Sequence, residues 1–385
     1  MKLTTKKPIL FGYGLYAILS FVIFFLLAGR EGSDISIHSV WASNASFADP
    51  FSFFGQVAHP MWHVLMHALG FFMPRVWAAA VLTTLTKMLA LYIVHRFFVR
   101  YLPCKNTTGL WLAMLCLSVS AIGLPFYNPT IYYQVGSPNP WHSPTQLLVL
   151  VFMLFCVPYT AHLLADFRCD SPSWKRPLLL GTLLFFSLFA KPTFLLAFFP
   201  AACLYCAVLW AKNPKYSRFF VQILLCVLPA LLLIFSQYIY YFGGVIVEGT
   251  SMVFSFSLDK VKQIVMAVCL MNAFSLYATL CYPKKQHKVL IHLTWLFFMV
   301  AFIEYLVLGE SGPRAHDGNF GWCMMGASLM LWVVAFLQCF PVWWQAKKTK
   351  TKLRGKDWVA VTLLCWHALS GLYYIGYLLF SKRLL

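Results

Sequence analysis

Glu31 and Asp34 are two of only 11 acids in 385 residues, and both lie in a long polar stretch, 30–75, directly after the first apolar run. A carboxylate in that place can take the proton of an attacking hydroxyl, or hold a divalent cation such as Mg or Mn through oxygen. The plain alternative is a solvated turn in which Asp34 caps a helix. Four histidines share the stretch: His38, His59, His63 and His67. The last three stand at i, i+4 and i+8, which is one face of a helix. Two histidines four residues apart can bind zinc, but no acid completes an HExxH arrangement. The stripe therefore reads as the polar side of an interfacial helix, with His59 and His63 as donors to a cleft.

Later in the chain, charge is scarce and its placement informative. Lys191 is the lone charge in an apolar hairpin, where it can meet a lipid phosphate or snorkel to headgroups. Glu304 falls about one turn from the end of an apolar run, a depth at which an ionisable group faces a cavity or a partner. The segment from Glu310 on, ESGPRAHDGN, joins Arg314 to His316, two acids and flexible glycines. Arginine presents a planar fork that suits phosphate oxygens. His142 lies in an uncharged stretch with Tyr127, Tyr132, Tyr133 and Trp141, whose rings can stack on a sugar or form an interfacial belt. Cys203 and Cys206 form a CxxC inside an apolar run, where packing is the simpler role. No cysteine or histidine spacing defines a metal site.

The elements that must position these residues are membrane spans. The hydrophobic share is 61 % and the charged share 11 %, against roughly half and a quarter in a soluble domain. The sequence predicts one all-α domain, 1–385, a polytopic bundle of about 11 spans at about 20 residues each. They fall at 9–28, 76–95, 109–126, 145–165, 177–190, 193–211, 219–242, 262–281, 289–308, 322–343 and 358–380. The first run is long for a signal peptide and has no A-x-A site after it, so it reads as a retained span. The net charge of +19 does not point to nucleic acid, because the basic residues collect between spans on one side. The positive-inside rule makes that side, and the N-terminus, cytoplasmic. The outer face then holds a first loop, 29–75, with an amphipathic helix at 59–73. It also holds the tip of a Lys-Pro hairpin, 177–211, and a late loop, 309–321.

Three segments together resemble the GT-C superfamily of membrane glycosyltransferases. One is the outer loop with Asp34 and the juxtamembrane helix HPMWHVLMHALGFF. The second is LLLGTLLFFSLFAKPTFLLAFFPAA, similar to the short Lys-Pro hairpin of bacterial members. The third is the late loop with Arg314. The resemblance implies a GT-C-like bundle in a bacterial plasma (inner) membrane, taking a sugar from a polyprenyl phosphate. The acceptor would be a glycan, a lipid or a protein. It also implies that Asp34 deprotonates the acceptor while Arg314 and Lys191 hold the lipid phosphate. The chain departs from the family in having EGSD where paired acids would stand, which bears on metal use. Two rival readings share the many spans: an envelope polysaccharide polymerase or ligase, and a transporter or flippase of lipid-linked saccharides. The latter would show internal repeats, and none is evident.

Overall fold

The computed structural model describes residues 6–55, 57–124, 136–166, 173–243, 249, 251–282, 287–312 and 319–381. Among these, nine helices are long and apolar enough to cross a membrane, so the chain is a multi-pass membrane protein. They are α1 (Lys6–Gly29), α4 (Arg75–Tyr101), α6 (Pro144–Ala165), α8 (Thr193–Lys212), α9 (Ser217–Phe242), α10 (Leu258–Cys281), α11 (Lys288–Val307), α12 (Gly321–Thr349) and α13 (Gly355–Phe380). Each is an apolar run whose backbone bonds close within the segment, as a bilayer requires. Two further helices fall where spans were predicted but are short: α5 (Asn106–Cys116), 11 residues, and α7 (Lys175–Ala190), 16 residues.

α12 is the axis of the bundle. Its most apolar stretch is 94 % buried, against 28 % for α1, α8 and α9, which show most of their surface to the surroundings. Trp332 and Phe336 of α12 pack with Phe274 of α10, and Phe98 of α4 meets Phe336 from the other side.

The predicted span at 109–126 is overturned after Cys116. There the chain leaves the helix and runs irregularly between α10 and α13. Ile122 N donates to Leu270 O at 2.9 Å, Gly123 N to Ser370 Oγ at 2.9 Å, and His367 Nδ1 pairs with Ser120 O at 2.7 Å. Such backbone survives inside a bundle only when protein groups satisfy it. The end of α5 is satisfied in the same way. Leu117 O accepts from Tyr16 at 3.2 Å and Lys87 Nζ at 3.0 Å, and Asn139 Nδ2 reaches Cys116 O and Val119 O at 3.0 Å. Gly371 lets α13 come this close, because a Cβ there would overlap the carbonyl of Ser118.

The first polar loop also differs from its prediction. It holds two helices, α2 (Asp34–Asn44) and α3 (Met61–Gly70). α3 is shorter than the predicted 59–73 and leaves His59 outside, with Pro60 as its N-cap residue. Its histidines face inward rather than toward headgroups. His63 Nε2 pairs with His38 Nδ1 at 2.9 Å, and His67 Nδ1 with Ala42 O at 2.9 Å. His63 is only 2 % exposed, and burial pushes its pKa down to about 4. Asp49 accepts from Phe51 N at 3.2 Å, a turn role. A two-stranded ribbon completes the same end: β1 (Met252–Phe254) pairs antiparallel with β2 (Leu308–Glu310).

Candidate functional site

Asp34 stands at the first position of α2. Gly32, at φ 77°, turns the chain after α1. The Ser33 side chain then caps α2 by accepting from Ser36 N at 3.1 Å, while its hydroxyl donates to Leu27 O. Ser33, not Asp34, is thus the cap. This leaves the Asp34 carboxylate free of the capping role and next to the positive end of α2.

His142 is held from the opposite side. Trp141 is fully buried between Tyr16 and Phe24, and Pro144 opens α6 two residues later. His142 Nε2 lies 3.8 Å from Asp34 Oδ2, and its Nδ1 is 3.3 Å from the Tyr374 hydroxyl. The Asp34 carboxylate is 39 % exposed and the His142 ring 12 %, so the pair is reachable from one side. Burial lowers the His142 pKa, Asp34 opposes that shift, and Lys191 adds to it. Both Asp34 and Lys191 are therefore within electrostatic reach of one ring.

Lys191 forms the turn between α7 and α8, with Pro192 breaking the helix behind it. It is 6 % exposed, so the snorkelling alternative does not hold. Its ammonium lies 4.4 Å from the centroid of the Trp322 ring, and the His142 ring lies 5.6 Å from the same ring. Lys191 and His142 thus both meet the Trp322 ring, with Asp34 next to His142. Gln146 holds the Trp322 carbonyl at 3.0 Å.

Lys191 also lines a cavity of about 170 Å³. Glu310, Asn319, His59 and Gln237 supply its polar groups, and Leu196, Ile234 and Phe320 part of its apolar wall. Asn319 Nδ2 donates to Glu310 Oε2 at 2.8 Å. Gln237 ties the hairpin to the first loop by donating to Leu188 O at 3.1 Å and Ala58 O at 2.7 Å.

Of the residues singled out in the sequence, Lys191, Glu310 and His59 line this cavity, and Asp34 pairs with His142 on the Trp322 ring that Lys191 also meets. Glu31 is exposed in the preceding turn and outside the cluster. His63 is turned away into the α2–α3 contact, so it is not a cleft donor. Glu304 does not line the cavity and lies near Cys323, where α11 packs on α12. Arg314 and His316 lie outside the described residues. Trp322, Tyr374 and Asn319 were missed. Nothing local separates Trp322 from the other tryptophans among the chain's 14; only its position over Lys191 marks it. Among the described residues no three His, Cys, Asp or Glu side chains come together as metal ligands.

No family model and no curated protein matches the chain. A solved structure does: the crystal structure of ArnT from Cupriavidus metallidurans bound to undecaprenyl phosphate. It matches over 96 % of this chain and 76 % of that one, with a TM-score of 0.53 at 11 % sequence identity. At that identity the likeness is one of fold: this chain is a helical membrane bundle folded like that protein.

Proposed function

We propose that this protein transfers a sugar from a polyprenyl-phosphate donor to a hydroxyl of a glycan, lipid or protein. The site would face the non-cytoplasmic side of a bacterial plasma membrane, with the N-terminus in the cytoplasm. The observation that carries this reading is that His142 and Lys191, distant in sequence, meet the same Trp322 ring while Asp34 lies 3.8 Å from His142. The similar solved structure, which holds undecaprenyl phosphate, supports the donor class.

In this reading the acceptor oxygen attacks the anomeric carbon and its proton passes to Asp34. The bond from that carbon to the phosphate oxygen breaks, and the lipid phosphate leaves with the electron pair. Lys191, in a largely apolar cavity, stabilises the charge that develops there; such fixed charges act strongly where water is excluded. His142 orients the carboxylate and stands next in line for its proton, with Tyr374 behind it. Among the described residues, the donor set around Asp34 does not fit a divalent cation. Mg or Mn takes several oxygen ligands, whereas Asp34 has a histidine at 3.8 Å and a lysine beyond it.

The test is Asp34→Asn in the full chain, offered undecaprenyl-phosphate-linked pentoses and hexoses labelled in the sugar. Transfer should fall by about 10²-fold or more, with undecaprenyl phosphate binding and the unfolding temperature unchanged. Full activity would remove the proposed base. Movement of the labelled lipid across a vesicle without bond cleavage would favour the transporter reading.

A further inference from the structure

A second cleft, of about 720 Å³, opens between α4 and α6 at the end of the bundle opposite Asp34. Arg96 and Arg100 stand on one face of α4, four residues apart. The Arg100 guanidinium lies 5.4 Å from the centroid of the Tyr101 ring, and the Tyr101 hydroxyl and His162 Nε2 share a hydrogen bond across the cleft. Below these polar groups the walls are apolar, formed by Phe97 and Phe155 among others. Phe155 is 41 % exposed on the outside of the bundle, so the apolar part is continuous with the lipid-facing surface. Both arginines are exposed. Asp166, the carboxylate that forms an ion pair at this end of α6, is held by Arg176 at 3.2 Å rather than by either of them.

We propose that this cleft binds the headgroup phosphate of an anionic membrane phospholipid, with an acyl chain laid along Phe97 and Phe155. Two forked cations above an apolar wall suit an amphiphile whose charge lies at the membrane surface. Basic pockets between spans on the cytoplasmic side take such headgroups, and this end carries the basic loops that the positive-inside rule makes cytoplasmic. A free phosphate would satisfy the arginines but leave the aromatic wall wet. The site lies at the far end of α6 from His142 and is independent of the transfer reaction.

The experiment uses the full chain in detergent, titrated with phosphatidylglycerol, with phosphatidylcholine of the same acyl chains, or with inorganic phosphate. Thermal unfolding and native mass spectrometry read out binding. Phosphatidylglycerol alone should raise the unfolding temperature and stay bound. Arg96→Gln with Arg100→Gln should weaken that binding by roughly 25-fold, counting about a fivefold loss for each arginine. Lys347→Gln with Lys348→Gln, which removes equal charge elsewhere at this end, should leave it unchanged. Arg96→Lys with Arg100→Lys should retain part of it. Equal binding by the glutamine pair, an equal loss in the Lys347/Lys348 variant, or the same shift from inorganic phosphate would overturn the proposal.

Discussion

Lys87 and Lys191 are 1 % and 6 % exposed, and each lays its ammonium on a tryptophan ring, Trp141 at 4.1 Å and Trp322 at 4.4 Å. By burial and ring contact they are nearly the same residue, yet their surroundings differ. Lys87 donates to Leu117 O at 3.0 Å and so closes the broken end of α5; it lines neither the Lys191 cavity nor the Arg96 cleft. Lys191 faces a cavity that also holds Glu310, Asn319 and His59. A buried cation is costly wherever it sits. At Lys87 that cost is offset by satisfying an irregular backbone; at Lys191 the ammonium borders a cavity. Burial therefore does not tell the two lysines apart; an opening onto a cavity does.

The sharpest way to break this comparison is to truncate each lysine. Lys191→Ala should lower transfer by about 10²-fold or more and weaken undecaprenyl phosphate binding by roughly tenfold or more, as for a lost charged hydrogen bond. Its unfolding temperature should hardly move. Lys87→Ala should do the reverse: a loss of about 2–4 kcal/mol in stability, from the cavity and the weakened cap, with normal transfer per folded molecule. Lys87→Ala with intact stability and lost transfer would merge the two cases.

A smaller effect is expected from the rings. Trp322→Leu should weaken phosphate binding by roughly two- to thirtyfold, the range of a cation–π contact. Trp141→Leu should be felt mainly in unfolding temperature, because that ring also packs on Tyr16 and Phe24.

The smallest effect is a pH midpoint. Burial, and then Lys191, hold the His142 pKa below its ordinary 6.5, against the pull of Asp34. The ring is neutral at pH 7. Below 6.5 the unfolded chain binds a proton that the folded one refuses, so the stability tied to His142 is complete above 6.5 and is lost as pH falls. An NMR titration, assigned by its absence in His142→Gln, should show the midpoint rise in Lys191→Met and fall in Asp34→Asn. No movement in either variant would uncouple the three residues.

Much of this molecule was legible in its sequence. Nine of the eleven predicted spans are helices long enough to cross, because a run of about 20 apolar residues leaves the backbone little choice in lipid. The 109–126 span was misread because its apolar residues look the same whether they meet lipid or the flanks of α10 and α13. In the first loop, the i, i+4, i+8 histidines described a helix but not its direction, and Pro60 moved its start past His59. Within the site, Asp34, His142, Lys191, His59 and Glu310 stood out because charge and imidazole are rare in this chain. Trp322 and Tyr374 did not, since aromatic residues are 18 % of it.

Composition alone determined that the chain is a membrane bundle, and the scarcity of ionic groups named most of the candidates. Only the tertiary structure decided which buried lysine closes a helix and which one faces a cavity. It also turned His63 inward and His142 toward Asp34. The physical reason is range. Hydropathy acts on each segment by itself, whereas the state of a buried charge depends on atoms more than a hundred residues away, such as Trp322 over Lys191.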